Sequence, residues 1–241
     1  TNTVLMVRPV AFALNEQTAV DNFYQKKGTS EQNAQELARD EFDGFVKNLR
    51  AKGVQVEVLD DTLVPHTPDS IFPNNWISMH DDGRIVLYPM KAENRRLERR
   101  SDIFKELERR GYEVGTTIDY TASEYEERYL EGTGSMVLDH DSKIAYLARS
   151  QRADEGLFRA FCAEFKYTPV VFTAYQETPE GPGQIYHTNV MMCVTDAYVL
   201  VCLDTIYDSN ERAAVADAIL KSGKQILEIS VAQKSNFAGN M

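Results

Sequence analysis

An α/β fold is predicted by three features of the chain: short apolar runs with the two-residue period of strands, longer charged runs with the helical period, and the regular return of the order strand pair, helix, strand. That order recurs about four times over the 241 residues, with weak identity between copies. It suggests modular sheets set around an axis or side by side with helices covering them, or an ordinary three-layer sheet; periodicity alone does not separate the two. With 43% hydrophobic residues the chain can bury one large core, and a single domain over residues 1–241 is the expectation.

Residues 4–10 read as the first strand. Residues 30–52 read as a helix that Ser30 can cap, with Ala34, Leu37, Phe42, Phe45 and Leu49 at roughly helical spacing and Gly53 closing it. Val54, Val56 and Val58 then alternate as strand residues do. A polar loop with prolines over 60–75 leads to Trp76, Ile77 and Met79. Next come a strand over 85–88, a basic-faced helix over 94–110 ending at Gly111, and a short strand near 112–114. Residues 136–138 and 144–147 flank the turn Asp139-His140-Asp141-Ser142, which is the pattern of a hairpin. A helix over 154–165 is halted by Pro169, and 170–172 return to strand. Residues 186–194 and 198–203 make a second hairpin around Thr195 and Asp196. Ser209 caps a helix running to Leu220, Gly223 ends it, and 226–229 are again strand; residues 233–241 read as the start of a further unit.

The formal charge of −11 spreads a negative field over the surface that repels nucleic-acid phosphates and anionic lipid. The expected partner is therefore a small molecule, with no nucleic acid and no membrane. Cys162, Cys193 and Cys202 are too few and odd in number for a disulfide scaffold, so a reducing, cytoplasmic setting is expected. No run reaches the roughly 20 apolar residues of a spanning helix, and the first residues lack a signal-peptide pattern. No dinucleotide fingerprint, phosphate loop or closely spaced zinc set is present, and His66, His80, His140 and His187 are scattered; no cofactor and no metal are expected.

Four segments carry residues suited to chemistry. In residues 69–76, Asn74 and Asn75 sit between Phe72 and Trp76, offering donors and acceptors beside an apolar wall; the same residues suit an Asx-rich turn. In residues 129–135, Glu131 enters a glycine-rich loop where a carboxylate can bind a cation or move protons, or simply face solvent. In residues 186–192, a strand would put His187 and Asn189 on one face, as an acid or base beside an amide or as a satisfied core histidine. Arg95, Arg96, Arg149 and Arg152 can each grip a carboxylate or form a surface ion pair, with Arg152 favoured for the grip. The cysteines lie in apolar strands and an amphipathic helix, as small buried hydrophobes do.

Taken together, FPNNW, LEGTGSMV, SQRAD and HTNV, in this order and spacing, resemble the amidinotransferase and arginine deiminase superfamily, and most of all its citrulline utilization hydrolase group. The resemblance runs from the first strand to Met241. It implies a five-bladed α/β propeller, the pentein fold, and a cysteine-dependent hydrolase of a ureido or guanidino amino acid that needs no cofactor. It implies proton handling by Glu131 and His187, carboxylate binding by Arg152 and by Arg95 or Arg96, and a substrate clasp at Asn75 and Asn189 beside Phe72. The partner it implies is an amino-acid substrate, and a homodimer is a compatible assembly.

This sequence departs from the superfamily pattern in three ways. Relatives place aspartates at both clasp positions, where a cationic guanidinium needs ionic partners; asparagine suits a neutral ureido group. The expected substrate is thus citrulline, cleaved to ornithine, ammonia and carbon dioxide, with arginine deiminase or amidinotransferase activity, or non-catalytic binding on the same fold, as alternatives. The glycine-rich stretch is EGTGS where many relatives have EGGD. Lastly, the superfamily's nucleophilic cysteine lies in a fifth unit near the carboxyl terminus, which the expectation counts as incomplete here, with the domain truncated.

Overall fold

The computed structural model describes residues 3–22, 24, 25, 31–178 and 180–240, and its contacts divide it into two compact units, Thr1–Asp119 and Tyr120–Met241. The fold is mixed α/β, built from small sheets.

The first unit opens with strand β1 (Thr3–Arg8), helix α1 (Glu31–Ala51) and strand β2 (Gln55–Asp60), the strands running parallel with Thr3 opposite Gln55. Phe42 and Val46 of α1 bury against Val56, with Leu49, Val54, Val58 and Met6 around them. The spacing 42, 46, 49 is one narrow helical stripe. Leu37 and Phe45, expected on that face, are 53% and 55% exposed: the apolar stripe is narrower than the sequence suggests. Gly53, in the left-handed region at φ 84°, turns the chain into β2. The expected cap Ser30 lies outside the described residues.

Next, a single 3-10 turn (Pro73–Asn75) leads into β3 (Ile77–Met79) and β4 (Ile85–Leu87), paired antiparallel; helices α2 (Glu93–Arg96) and α3 (Asp102–Arg109) follow, and β5 (Thr117–Asp119) returns parallel to β4. Trp76, Ile77, Ile85, Met90, Ile103, Leu107 and Leu59 form the core beneath. The single helix expected over 94–110 is thus broken into two. Its arginines account for the break: Arg96 donates to the Met90 carbonyl, Arg99 to that of Tyr88 and Arg100 to that of Asp60, so side chains hold residues 97–101 as a turn. The following strand comes at 117–119 instead of 112–114. Before it, Gly115 runs so close to Gly83 that an added Cβ would lie 2.3 Å from the Gly83 carbonyl oxygen, a contact only glycine permits.

The second unit repeats that plan twice. Helix α4 (Gly132–Ser135) leads into β6 (Met136–Asp139) and β7 (Ile144–Ala148), an antiparallel hairpin; α5 (Glu155–Phe165) and the parallel strand β8 (Thr168–Phe172) complete the sheet. An extra hairpin, β9 (Tyr175–Thr178) and β10 (Gly181–Gln184), follows, and the sequence pattern does not foresee it. A 3-10 turn (Thr188–Val190) then precedes β11 (Met192–Val194), β12 (Tyr198–Val201), α6 (Ser209–Lys221), β13 (Gln225–Glu228) and α7 (Val231–Ser235), with sheet order β11-β12-β13. Among the described residues there are therefore three full copies of hairpin, helix and parallel strand, and one β-α-β copy without the hairpin's first strand.

Three boundaries differ from expectation for local reasons. Helix α5, capped by Asp154 accepting from Leu157 N at 2.8 Å, is stopped by Lys166 at φ 60°, and Pro169 lies inside β8. Helix α6 is capped by Asp208, whose Oδ1 accepts from the amides of Asn210 and Glu211, and not by Ser209. The strand expected from 186 begins at Met192. Aromatic packing anchors this unit: Tyr146, Phe158, Phe161 and Phe172 are fully buried, and each contributes roughly 1.5–3 kcal/mol by leaving water. Among the described residues no helix is long and apolar enough to cross a membrane.

Candidate active site

In the second unit, Glu131, Arg152 and His187 come together. Glu131 ends the stretch before α4, and Gly132 at φ 44° bends the backbone there. Its amide bonds to the Arg152 carbonyl at 3.1 Å and to Ser135 Oγ at 3.0 Å, and Ser135 Oγ donates to that same carbonyl at 2.6 Å. This closed set locks the two segments together. Glu131 is 0% exposed, yet its Oε2 lies 2.8 Å from His187 Nε2 and 3.4 Å from Arg152 Nη1. A carboxylate only accepts, so the Nε2 facing it carries a proton.

His187 precedes the 3-10 turn held by Thr188, whose Oγ1 donates to the Ser135 carbonyl at 2.5 Å and accepts from Ala148 N at 2.8 Å. The strand expected here is therefore a turn, so the argument that His187 and Asn189 share a strand face does not apply. Asn189 is half-buried on that turn, and its side chain makes no hydrogen bond among the described residues. The Arg152 guanidinium lies over the Tyr186 ring, 5.1 Å from its centroid, and the Tyr186 and His187 rings are 4.8 Å apart. A buried carboxylate bonded to an imidazole and a guanidinium can hold the imidazole's orientation and stabilise its protonated form, which is what acid–base chemistry needs.

The first unit holds the other expected site residues. Arg95, 3% exposed, donates from Nε and Nη2 to both carboxylate oxygens of Glu98 at 2.8 and 2.9 Å, and from Nη1 to Asn75 Oδ1 at 2.7 Å. It also reaches the carbonyls of Phe72 and Asp69. Asn75 is buried, and with its oxygen taken by Arg95 it has Nδ2 to offer; that nitrogen has no partner among the described residues. The Phe72 side chain is 44% exposed. Arg96 donates from Nε to the Met90 carbonyl, and Arg149 of the second unit binds Glu155 and Glu211.

Sequence reasoning missed several residues of these clusters. Glu98 stands three residues after Arg95 in a charged helical run, a spacing that signals an ion pair but not its burial. Asp69, buried and accepting from Asn15 Nδ2 at 2.8 Å and Thr18 Oγ1 at 3.0 Å, has no local signal, because its partners lie more than fifty residues away. Ser135 and Thr188 act through backbone groups. The cysteines are all buried; burial pushes the Cys162 thiol up to about 12 and raises that of Cys202. Among the described residues no three His, Cys, Asp or Glu side chains gather as a metal site would require.

The chain belongs to the N,N dimethylarginine dimethylhydrolase family, whose eukaryotic sequence profile matches residues 8–241, and through it to the pentein superfamily of amidinotransferases and dimethylarginine dimethylhydrolases. No curated protein matches it. Among solved structures, the N-terminal domain of ArgZ bound to substrate, an arginine dihydrolase from the ornithine-ammonia cycle of cyanobacteria, is similar with a TM-score of 0.72 at 17% identity, over 99% of this chain and 79% of that one. Unliganded AgrE is similar with a TM-score of 0.73 at 19% identity, over 99% of this chain and 31% of that one. A Pseudomonas aeruginosa DDAH variant complexed with citrulline gives 0.57 at 12% identity, over 96% and 92%. The chain spans 31% of the length of apo ArgZ, which it also matches. At these identities the likeness is one of fold.

Proposed function

We propose that this chain handles substrate and protons in a hydrolase of a ureido or guanidino amino acid, with citrulline converted to ornithine, ammonia and carbon dioxide. The observation that carries the reading is the buried Glu131–His187 pair at 2.8 Å with the Arg152 guanidinium beside it. In the proposed reaction a cysteine thiolate attacks the ureido carbon. His187 gives a proton to the departing ornithine amine as the carbon–nitrogen bond breaks, and then takes one from the water that hydrolyses the carbamoyl-cysteine. Carbamate falls to ammonia and carbon dioxide. Glu131 holds the imidazole, and Arg152 takes the substrate carboxylate. The nucleophile is assigned to none of the three buried cysteines.

Asn75 and Asn189 are each proposed as a substrate-binding residue of its own unit; Phe72 belongs to the Asn75 loop, which Arg95 supports, and Arg96 holds the Met90 carbonyl nearby in sequence. Because Arg95 occupies Asn75 Oδ1, the amide nitrogen is what Asn75 offers. A donor complements a ureido carbonyl oxygen, whereas a guanidinium has only donors of its own. The finer architecture proposed is the five-bladed propeller of the superfamily, with the recurrent β-α-β modules as blades. The family match favours a second reading, hydrolysis of N,N-dimethylarginine.

The test measures ammonia from citrulline, ammonia from arginine and dimethylamine from N,N-dimethylarginine with the intact gene product, alongside calorimetric binding of each compound to the 241-residue chain. Preferential binding and turnover of citrulline is the expected result. Turnover of dimethylarginine with no citrulline affinity would replace the first reading by the second, and failure to bind any of the three would overturn both.

A further inference from the structure

The ring of Tyr186 touches both Arg152 and His187. Its position is set from two sides. Ile185, fully buried, closes the base of the β9–β10 hairpin by donating its amide to the Ala174 carbonyl at 2.9 Å. The Tyr186 carbonyl accepts from Ser150 Oγ at 2.8 Å, and Ser150 Oγ also accepts the amide of Arg152 at 3.1 Å. The backbones of Tyr186 and Arg152 are therefore tied through one hydroxyl, and the Tyr186 ring lies against the Arg152 guanidinium, 5.1 Å from centroid to carbon. The same ring meets the His187 imidazole at 4.8 Å and 48°.

A guanidinium is a planar fork whose hydrogen bonds leave along its edges. An aromatic ring on its face fixes the plane and uses none of the donors. The ring also packs beside the neighbouring imidazole, whose Nε2 Glu131 holds.

We propose that Tyr186 is a positioning residue that sets the orientation of Arg152 toward the substrate carboxylate and of His187 toward the reacting nitrogen. This rests on the reading of Arg152 and His187 given above. The ring and not the hydroxyl carries the effect, so Tyr186→Phe is expected to behave as wild type and Tyr186→Leu is not.

Two measurements test it. The first follows the His187 imidazole by NMR through a pH titration; with four histidines in the sequence the signal is assignable using a His187→Gln control. Tyr186→Leu is expected to move the titration midpoint, and Tyr186→Phe to leave it in place. The second compares citrulline with its decarboxylated analogue. Tyr186→Leu is expected to raise KM for citrulline about 2- to 30-fold, the range of one lost cation–π contact, to leave the analogue's KM within about twofold, and to lower kcat for both compounds, because His187 serves the reaction of each. Loss of fold stability alone would move neither the carboxylate discrimination nor the midpoint. An unchanged midpoint together with unchanged discrimination in Tyr186→Leu would overturn the proposal. If wild type turns over no ureido or guanidino compound, the functional reading fails, and the histidine titration still decides whether Tyr186 positions His187.

Discussion

Arg95→Met replaces a guanidinium that is 3% exposed and leaves the Glu98 carboxylate, its bidentate partner at 2.8 and 2.9 Å, buried without that ion. Asn75 Oδ1 loses its 2.7 Å donor at the same time, and the carbonyls of Phe72 and Asp69 lose weaker ones. The cost is set less by the bonds removed than by the charge left behind, which for one side of a buried pair is about 3–5 kcal/mol. Replacing both partners, Arg95→Met with Glu98→Leu, removes that stranded charge and should recover most of the loss. The sole tryptophan, Trp76, is 1% exposed in the same core and directly follows Asn75, so its fluorescence reports unfolding of this unit. Urea titrations followed at Trp76 should place the single variant about 3–5 kcal/mol below the parent and the double variant well above the single. A single variant within about 1 kcal/mol of the parent, with a raised KM for substrate, would mean that Arg95 serves the ligand instead of the loop.

Three further outcomes are expected. Glu57 is held down to about 2 from an ordinary 4.5, first by Arg110 and then by Tyr112 and Gln55. A depressed carboxylate stabilises above its unfolded value and ceases to as pH falls from about 4.5 to 2; the shift corresponds to ~3 kcal/mol, which solvent screening at this partly exposed pair reduces to about 1. Glu57→Gln should flatten the acid limb of a stability–pH curve by that amount, and superimposable limbs would refute the pairing. Cys162 and Cys202, with thiols raised by burial, should label with a maleimide at pH 7 only after denaturation, as mass spectrometry of native and unfolded samples will show. Glu131→Gln should lower kcat by about 100- to 10,000-fold; full activity in a stopped assay would remove Glu131 from proton handling.

What the sequence shows and what it hides divide along the range of the interactions. The β6–β7 hairpin is legible because five polar residues, Asp139 to Lys143, separate two apolar runs, and every determinant is local. The β9–β10 hairpin is not, because Tyr175–Thr178 and Gly181–Gln184 lack apolar alternation. Residues 94–110 are nearly all helix formers, so nothing local marks the break that arginines impose by reaching the carbonyls of Asp60, Tyr88 and Met90. The run from Tyr186 to Val194 reads as a strand by composition, and its first part becomes a turn because Thr188 bonds to Ser135 and Ala148, 53 and 40 residues away. Glu131, Arg152 and His187 stand out in the sequence as motif residues, whereas their shared carboxylate contact is a product of tertiary packing.

Three of the four motifs, FPNNW, LEGTGSMV and HTNV, also occupy one structural position within their modules. Phe72, Glu131 and His187 each stand at the N-cap of a short helical turn that leads into the first strand of a hairpin, and none of their side chains caps that turn. Asp, Asn and Ser are the residues whose side chains readily satisfy their own turn. A phenyl ring accepts no amide hydrogen in this way, and in the second unit the longer glutamate and the histidine turn to each other at 2.8 Å. The turns are instead satisfied from elsewhere: Ser135 Oγ accepts the Glu131 amide, and Thr188 Oγ1 ties the following turn to the Ser135 carbonyl. In the second unit the hydroxyls of Ser135 and Thr188 tie these segments in place, and Glu131 and His187 are left for a contact between modules. A repeated module can in this way carry different chemistry at one place while keeping the ladder and helix contacts that fold it.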